Sequence, residues 1–333
     1  MSSRCSVTST RSASERIVRR PAIEDREAAK GPEVWAVGGG KGGTGKSFFS
    51  SSMALFLAAA GHRVVLVDAD LGGANLHSFL GLKRPRVTLS DFFERKVPLA
   101  ELQVPSGYDN LTLISGDLQS IESDSIKYTQ KLKMFRHMRA LDADYVLMDL
   151  GAGSHNNTID SFINSDRMLV VTVPAITALE NLYQFIKNVY FRKLKAAFSK
   201  RGLKDRVVET WRNREHHGLS NLRDLVDHLR KTSGAMGEVL ASDVDDFKVQ
   251  LIVNQVKSST DIHLGASIRS VVRKYLGLNA EYTGYIRYDE YILRCLNNGT
   301  PFVRTYGYSR SAKEIETVMR NIIHDRQVRE VLS

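Results

Sequence analysis

VWAVGGGKGGTGKSFFSSSMALFLAAA, residues 34–60, decides the fold. A short apolar run ends in glycines, and a helical spacing begins at Lys46. Between them GKGGTGKS, residues 40–47, satisfies G-x-x-x-x-G-K-[ST] in the strand–loop–helix setting that phosphate binding demands. Glycines let backbone N–H groups curl around phosphate oxygens without Cβ clashes, and the helix that follows points its N-terminus at the anion. Gly40, Gly42, Gly43, Thr44 and Gly45 are therefore expected to cradle the phosphates of ATP. Lys46 reaches the β- and γ-phosphates, and the Ser47 hydroxyl ligates Mg²⁺.

Outward from this loop, apolar runs alternate with amphipathic segments. RVVLVD (63–68), LTLI (111–114), DYVLMD (144–149), RMLVVTV (167–173), VQLIVN (249–254) and EYTGYI (281–286) read as strands. Lys127–Arg139, Asn181–Phe198 and Ile262–Tyr275 read as helices. That alternation predicts an α/β fold, a mostly parallel sheet with helices on both faces. One stretch breaks the rhythm: from about 192 to 247 no strand is convincing, and Leu219, Leu222, Leu225, Val226 and Leu229 share one helical face. We expect a helical insertion there, within a single ATPase domain spanning 32–333 and preceded by a tail at 1–31 that is rich in Ser, Arg and Glu.

The chain has 333 residues and a net charge of +10, concentrated in two places. Residues 1–32 hold seven Lys/Arg against four Asp/Glu, and residues 190–231 hold twelve against five. Such a surface suits nucleic acid or anionic lipid, and equally a solvated helical face. The longest apolar stretch, Met53–Ala60, is far short of the roughly 18–20 residues of a membrane span, and the first residues lack an apolar signal core. Cys5 and Cys295 form no CxxC pair. These features fit a reducing cytoplasm.

Two carboxylate segments complete the pattern. RVVLVDADLGGANLHSFLGL, residues 63–82, places Asp68 and Asp70 where the second strand ends, and DYVLMDLGAG, residues 144–153, ends a strand in Asp149. Ligands of open α/β sheets bind at the carboxyl ends of the strands. Lys41, a second lysine inside the phosphate loop, is not required by the ordinary pattern. With these segments the chain resembles the MinD/ParA superfamily of deviant P-loop ATPases, and within it the FlhG-like (MinD-like) branch.

The resemblance covers most of 33–190 and 247–304, including YDEYILRCLNNGTPFV at 288–303. It implies an ATP-bound homodimer in which Lys41 crosses to the partner's nucleotide, as arginine fingers do. It also implies that Asp68 and Asp149 hold the Mg²⁺ water shell, that Asp70 orients the attacking water, and that Asn254 pairs with adenine. In GYIRYDE, residues 284–290, Arg287 stands where the family usually has proline, and an arginine can stack on the base. The activating D-Q-A-x-x-L-R pattern of FlhG-like chains is missing.

Functionally, the expectation is a spatial regulator in cell division, flagellar placement or cargo positioning, with an unnamed protein partner. A DNA-bound partition ATPase using the basic insertion is the alternative, at the nucleoid. Peripheral membrane contact would run through Ala312–Ile323, whose Ile315, Val318, Met319, Ile322 and Ile323 give a weakly amphipathic face without Trp or Phe; packing against the core is favoured instead. An iron–sulfur carrier lacks its paired cysteines.

Overall fold

The computed structural model describes residues 31–70, 73–116, 126–199, 204–233 and 247–328. The tail at 1–31, apart from Gly31, lies outside the described residues, as do Cys5, Lys200 and Arg201. Eight strands form one sheet: β1 Glu33–Gly38, β2 Val64–Ala69, β3 Val104–Pro105, β4 Leu111–Ile114, β5 Tyr145–Leu150, β6 Arg167–Thr172, β7 Lys248–Val256 and β8 Asn279–Arg287. Their order is β3-β4-β2-β5-β1-β6-β7-β8. Every pairing is parallel except β3 with β4.

Successive side chains of a strand point to opposite faces, and here both faces are apolar. Val34 and Ala36 of β1 enter one core with Val65 and Val67 of β2, while Trp35 and Val37 enter the other with Val64 and Leu66. The second core is closed by the helices Lys46–Ala59 and Arg310–Ile323. The first is closed by Tyr128–Met138, Asn156–Ile163, Ile176–Ser199 and Ser259–Leu276. Local signals set the ends of the last of these. Ser258 accepts from the Asp261 N–H while Asp261 caps back, and Gly277 stops the helix at φ 68°.

The interval after Ile176–Ser199 carries helices Lys204–Arg212 and Leu222–Ser233. Leu225, Val226 and Leu229 are buried, and Leu219 packs partly against the same core. The basic face is thinner than its composition suggests. Arg192 pairs with the buried Asp160 (Nε to Oδ1, 2.8 Å), and Lys193 lies 5.3 Å from the centre of the Phe247 ring. Two of the cations assigned to a nucleic-acid surface are therefore tied to the body of the domain. In the C-terminal helix Ile315, Val318, Met319 and Ile322 are all buried, so its apolar face packs on the sheet. Among the described residues no helix is long and apolar enough to cross a membrane.

Candidate active site

β1 lies at the centre of the sheet, between β5 and β6, and its C-terminal end opens into the loop at 39–45. The loop needs glycine at particular places. Gly43 and Gly45 have φ of 76° and 90°, which a side chain rarely adopts. Gly40 leans so closely on the backbone carbonyl of Asn181 that a Cβ would collide with it. Gly45 then serves as N-cap of the helix Lys46–Ala59 with no side-chain cap bond, leaving the first helical N–H groups turned to the loop.

The carboxylates stand on the acid side of this loop. Asp68 and Asp149 are register partners on neighbouring strands, each 1% exposed. Burial pushes the Asp149 carboxyl up to about 6, against hydrogen bonds from the Ser47 and Ser50 hydroxyls and the charge of Lys46. Burial likewise pushes Asp68 up to about 7; the charge of Asp149 adds to this, while the N–H groups of Leu76, Asp70 and Asn75 oppose it. These donors come from the turn after β2: Asn75 N at 2.8 Å and Leu76 N at 2.9 Å. Ser50 was not singled out from the sequence, yet its position three residues after Ser47 puts both hydroxyls on one helical face toward Asp149.

Asp70 is half-buried and faces Gly151, where an added Cβ would sit 3.0 Å from its Oδ1. The segment after β5 is in turn bonded to the phosphate loop, Gly153 N to Gly39 O at 3.2 Å. A cavity of about 420 Å³ opens beside Asp70, Gly73, Gly151 and Ala152, with Thr158 and Ser161 on its wall.

The loop's polar groups are incompletely matched within the chain. Lys46 is 7% exposed, and among the described residues its Nζ donates to the Lys41 carbonyl alone, at 3.4 Å. Burial lowers its pKa, and Asp149 and Asp70 partly restore it. The Thr44 hydroxyl is buried without a hydrogen-bond partner among the described residues. A buried cation with one long bond and an orphaned hydroxyl, set around positive-φ glycines, are the donors an anion of phosphate type completes. Ser47, Asp68 and Asp149 offer hard oxygen donors beside them, the set Mg²⁺ selects.

The remaining candidates have other partners. Lys41 is exposed at the rim, with Nζ 2.9 Å from the Thr177 hydroxyl. The Asn254 side chain is buried and donates to the Thr44 carbonyl at 2.9 Å, so it braces the loop. Its neighbour Gln255, which the sequence did not flag, does the same to the Gly43 carbonyl at 3.2 Å. Arg287 is committed to Glu314: its backbone N donates to Oε2 at 2.8 Å and its guanidinium to Oε1. Glu314 lies on the C-terminal helix, and no local sequence pattern announces that pairing.

Comparison with known proteins accords with this geometry. Residues 32–196 match the family model described as ParA, NUBPL iron-transfer P-loop NTPase. The chain is 24% identical to the antiactivator FleN of Pseudomonas aeruginosa over 293 residues, 87% of this chain and 86% of that one. It is 26% identical to the septum site-determining protein MinD of Helicobacter pylori over 292 residues, covering 87% and 90%. The fold is that of the MinD of Pyrococcus horikoshii solved with Mg-ADP, at a TM-score of 0.59, 17% identity, and coverage of 87% and 96%.

Proposed function

Because this chain belongs to the MinD/ParA superfamily of P-loop ATPases, in its FlhG-like (MinD-like) branch, we propose that it is a dimerising switch, a spatial regulator that engages its partner as the ATP-bound homodimer. The observation that carries the proposal is the division of labour between two lysines of one loop. Lys46 is buried among the carboxylates, whereas Lys41 sits exposed at the rim, where a second molecule can reach it. In this reading the whole of 32–333 is one ATPase domain, with the helical insertion as an accessory surface for a protein partner.

The places of the residues support the following roles. Backbone N–H groups of Gly40–Gly45 and the ammonium of Lys46 hold the phosphates. Mg²⁺ would be held by Ser47 directly and by Asp149 and Asp68 through water, and it supplies neutralisation of phosphate charge. Asp70, at the mouth of the cavity, orients the attacking water toward the γ-phosphate. Gly151 leaves that carboxylate room to move.

A DNA-bound partition ATPase is the weaker reading, since Arg192 and Lys193 are tied down by Asp160 and Phe247. Iron transfer, named in the matching family model, calls for thiolate ligands. The sequence has two cysteines, and among the described residues Cys295 is the single one, free and buried on the core side of its helix.

The test is the molar mass of Asp70→Ala protein by light scattering. With Mg²⁺-ATP it should run as a dimer that also captures its protein partner, and with ADP as a monomer. A mass that ignores the nucleotide sinks the switch.

A further inference from the structure

We propose that the cavity beside Asp70 is a second anion site, which takes the inorganic phosphate that hydrolysis releases; the inference rests on the ATP reading above. The site is built from one side of the helix Asn156–Ile163 and from Lys131. His155, Thr158 and Ser161 follow one another at intervals of three residues, and all three line the cavity. His155 is the N-cap and makes no side-chain cap bond, so the first N–H groups of the helix have no cap of their own. Its ring folds back over Gly153, with Nε2 3.5 Å from where a Cβ would stand.

The hydroxyls of this wall are unmatched. Ser161 is 7% exposed, and among the described residues neither its hydroxyl nor that of Thr158 has a hydrogen-bond partner. Elsewhere in the chain helical hydroxyls bond back one turn, Ser50 to the Lys46 carbonyl at 3.0 Å and Thr317 to the Lys313 carbonyl at 2.8 Å. A hydroxyl that forgoes this bond while shielded from water costs free energy until a ligand pairs with it.

Charge selects an anion as that ligand. Asp160 receives both Lys131 (Nζ to Oδ2, 2.9 Å) and Arg192 (Nε to Oδ1, 2.8 Å), two cations on one carboxylate, which leaves a surplus positive charge at the cavity wall. Lys131 is 5% exposed and lines the cavity. Among the described residues its ammonium makes that one hydrogen bond, so it has further N–H groups to give. Asp70 is the single carboxylate among the described lining residues, and its charge acts on Lys46 of the phosphate loop. An anion formed beside Asp70 is repelled by that carboxylate and drawn to Lys131. The volume of about 420 Å³ admits a phosphate with several of its waters, which take about 30 Å³ each.

The experiment titrates inorganic phosphate calorimetrically into the full chain loaded with Mg²⁺-ADP, as wild type, Ser161→Ala and Thr158→Val, with thermal melts as the folding check. Wild type should saturate with phosphate. Each variant should bind it about tenfold more weakly, the scale of one hydrogen bond to a charged group. Mg²⁺-ADP, titrated separately, should stay within about twofold of wild type. Ser161→Ala should melt no lower than wild type, because the hydroxyl it removes has no partner in the folded chain. Phosphate affinity unchanged in both variants puts the ion in the phosphate loop and overturns the site. An equal loss on phosphate and ADP also overturns it, since that means a distorted loop. ATP turnover of the same wild-type protein keeps the two readings apart: no turnover sinks the ATP reading, whereas turnover without phosphate binding sinks this site alone.

Discussion

Two carboxylates facing each other across neighbouring strands cost free energy unless cations share the space. Asp68 and Asp149 are in that position, and among the described residues Lys46 is the cation whose charge acts on Asp149. The sign of the pH dependence follows. Both groups bind their proton more tightly folded, with pKa near 7 and 6, than unfolded, near 4. The unfavourable term is therefore absent at low pH, grows as pH rises past the unfolded value, and is complete above the folded one. Nucleotide-free protein should lose melting temperature between about pH 4 and 7, at about 1.4 kcal/mol for each tenfold change in proton affinity. Asp149→Asn should flatten the part of that fall below about pH 6, since the Ser47 and Ser50 hydroxyls can reorient to an amide. A wild-type melting curve that rises over the same range contradicts this account. Lys46→Ala should abolish binding of a fluorescent ATP analogue while the protein stays folded, because among the described residues Lys46 Nζ makes a single long hydrogen bond. Undiminished affinity in the folded variant removes the phosphate-loop reading. At this scale the gathering of the phosphate loop, Asp68, Asp70 and Asp149 at one end of the sheet was legible from spacing. The side-chain partners of Asn254 and Arg287 were not, because a spacing gives a residue's place on a strand but not which distant group its side chain meets.

Elements were legible wherever a period had room to repeat. Seven strands stand where the sequence carries short apolar runs, whereas β3 leaves no such run because it is two residues long and includes Pro105, which belongs at a sheet edge. The long helix was read from Asn181 but begins at Ile176, since its first turn carries no amphipathic repeat. What locks three of the helices together lay beyond any pattern. Asp160 on Asn156–Ile163, 2% exposed, receives Lys131 from Tyr128–Met138 at 2.9 Å and Arg192 from Ile176–Ser199 at 2.8 Å. Removing the carboxylate leaves a buried ammonium without its anion, a change that costs about 3–5 kcal/mol. Asp160→Ala should lose about that much in urea denaturation, and Arg192→Ala clearly less, because that guanidinium is 38% exposed. A loss below about 1 kcal/mol for Asp160→Ala would mean that the cluster does not hold these helices.

Across the whole molecule, the question is why one loop carries two lysines with opposite surroundings. On the proposed reading Lys46 serves the phosphates within one chain, with the charges of Asp149 and Asp70 acting on it. Among the described residues Lys41 meets the Thr177 hydroxyl alone, an uncharged partner in an exposed position that holds a cation weakly. A second copy bringing its own phosphates to this rim offers Lys41 several negative oxygens, and solvent excluded by the contact strengthens the attraction. Lys41 should therefore matter little for binding to one subunit and much for the union of two. Lys41→Ala should bind ADP within about twofold of wild type and remain a monomer with Mg²⁺-ATP. Turnover per subunit provides the second measurement. A switch that hydrolyses only as a dimer gains specific activity as its concentration rises, and Lys41→Ala should give a flat, low line over the same range. Should that variant dimerise and show the wild-type rise, the lysine at the rim is a solvated loop cation and the dimer must be built on other contacts.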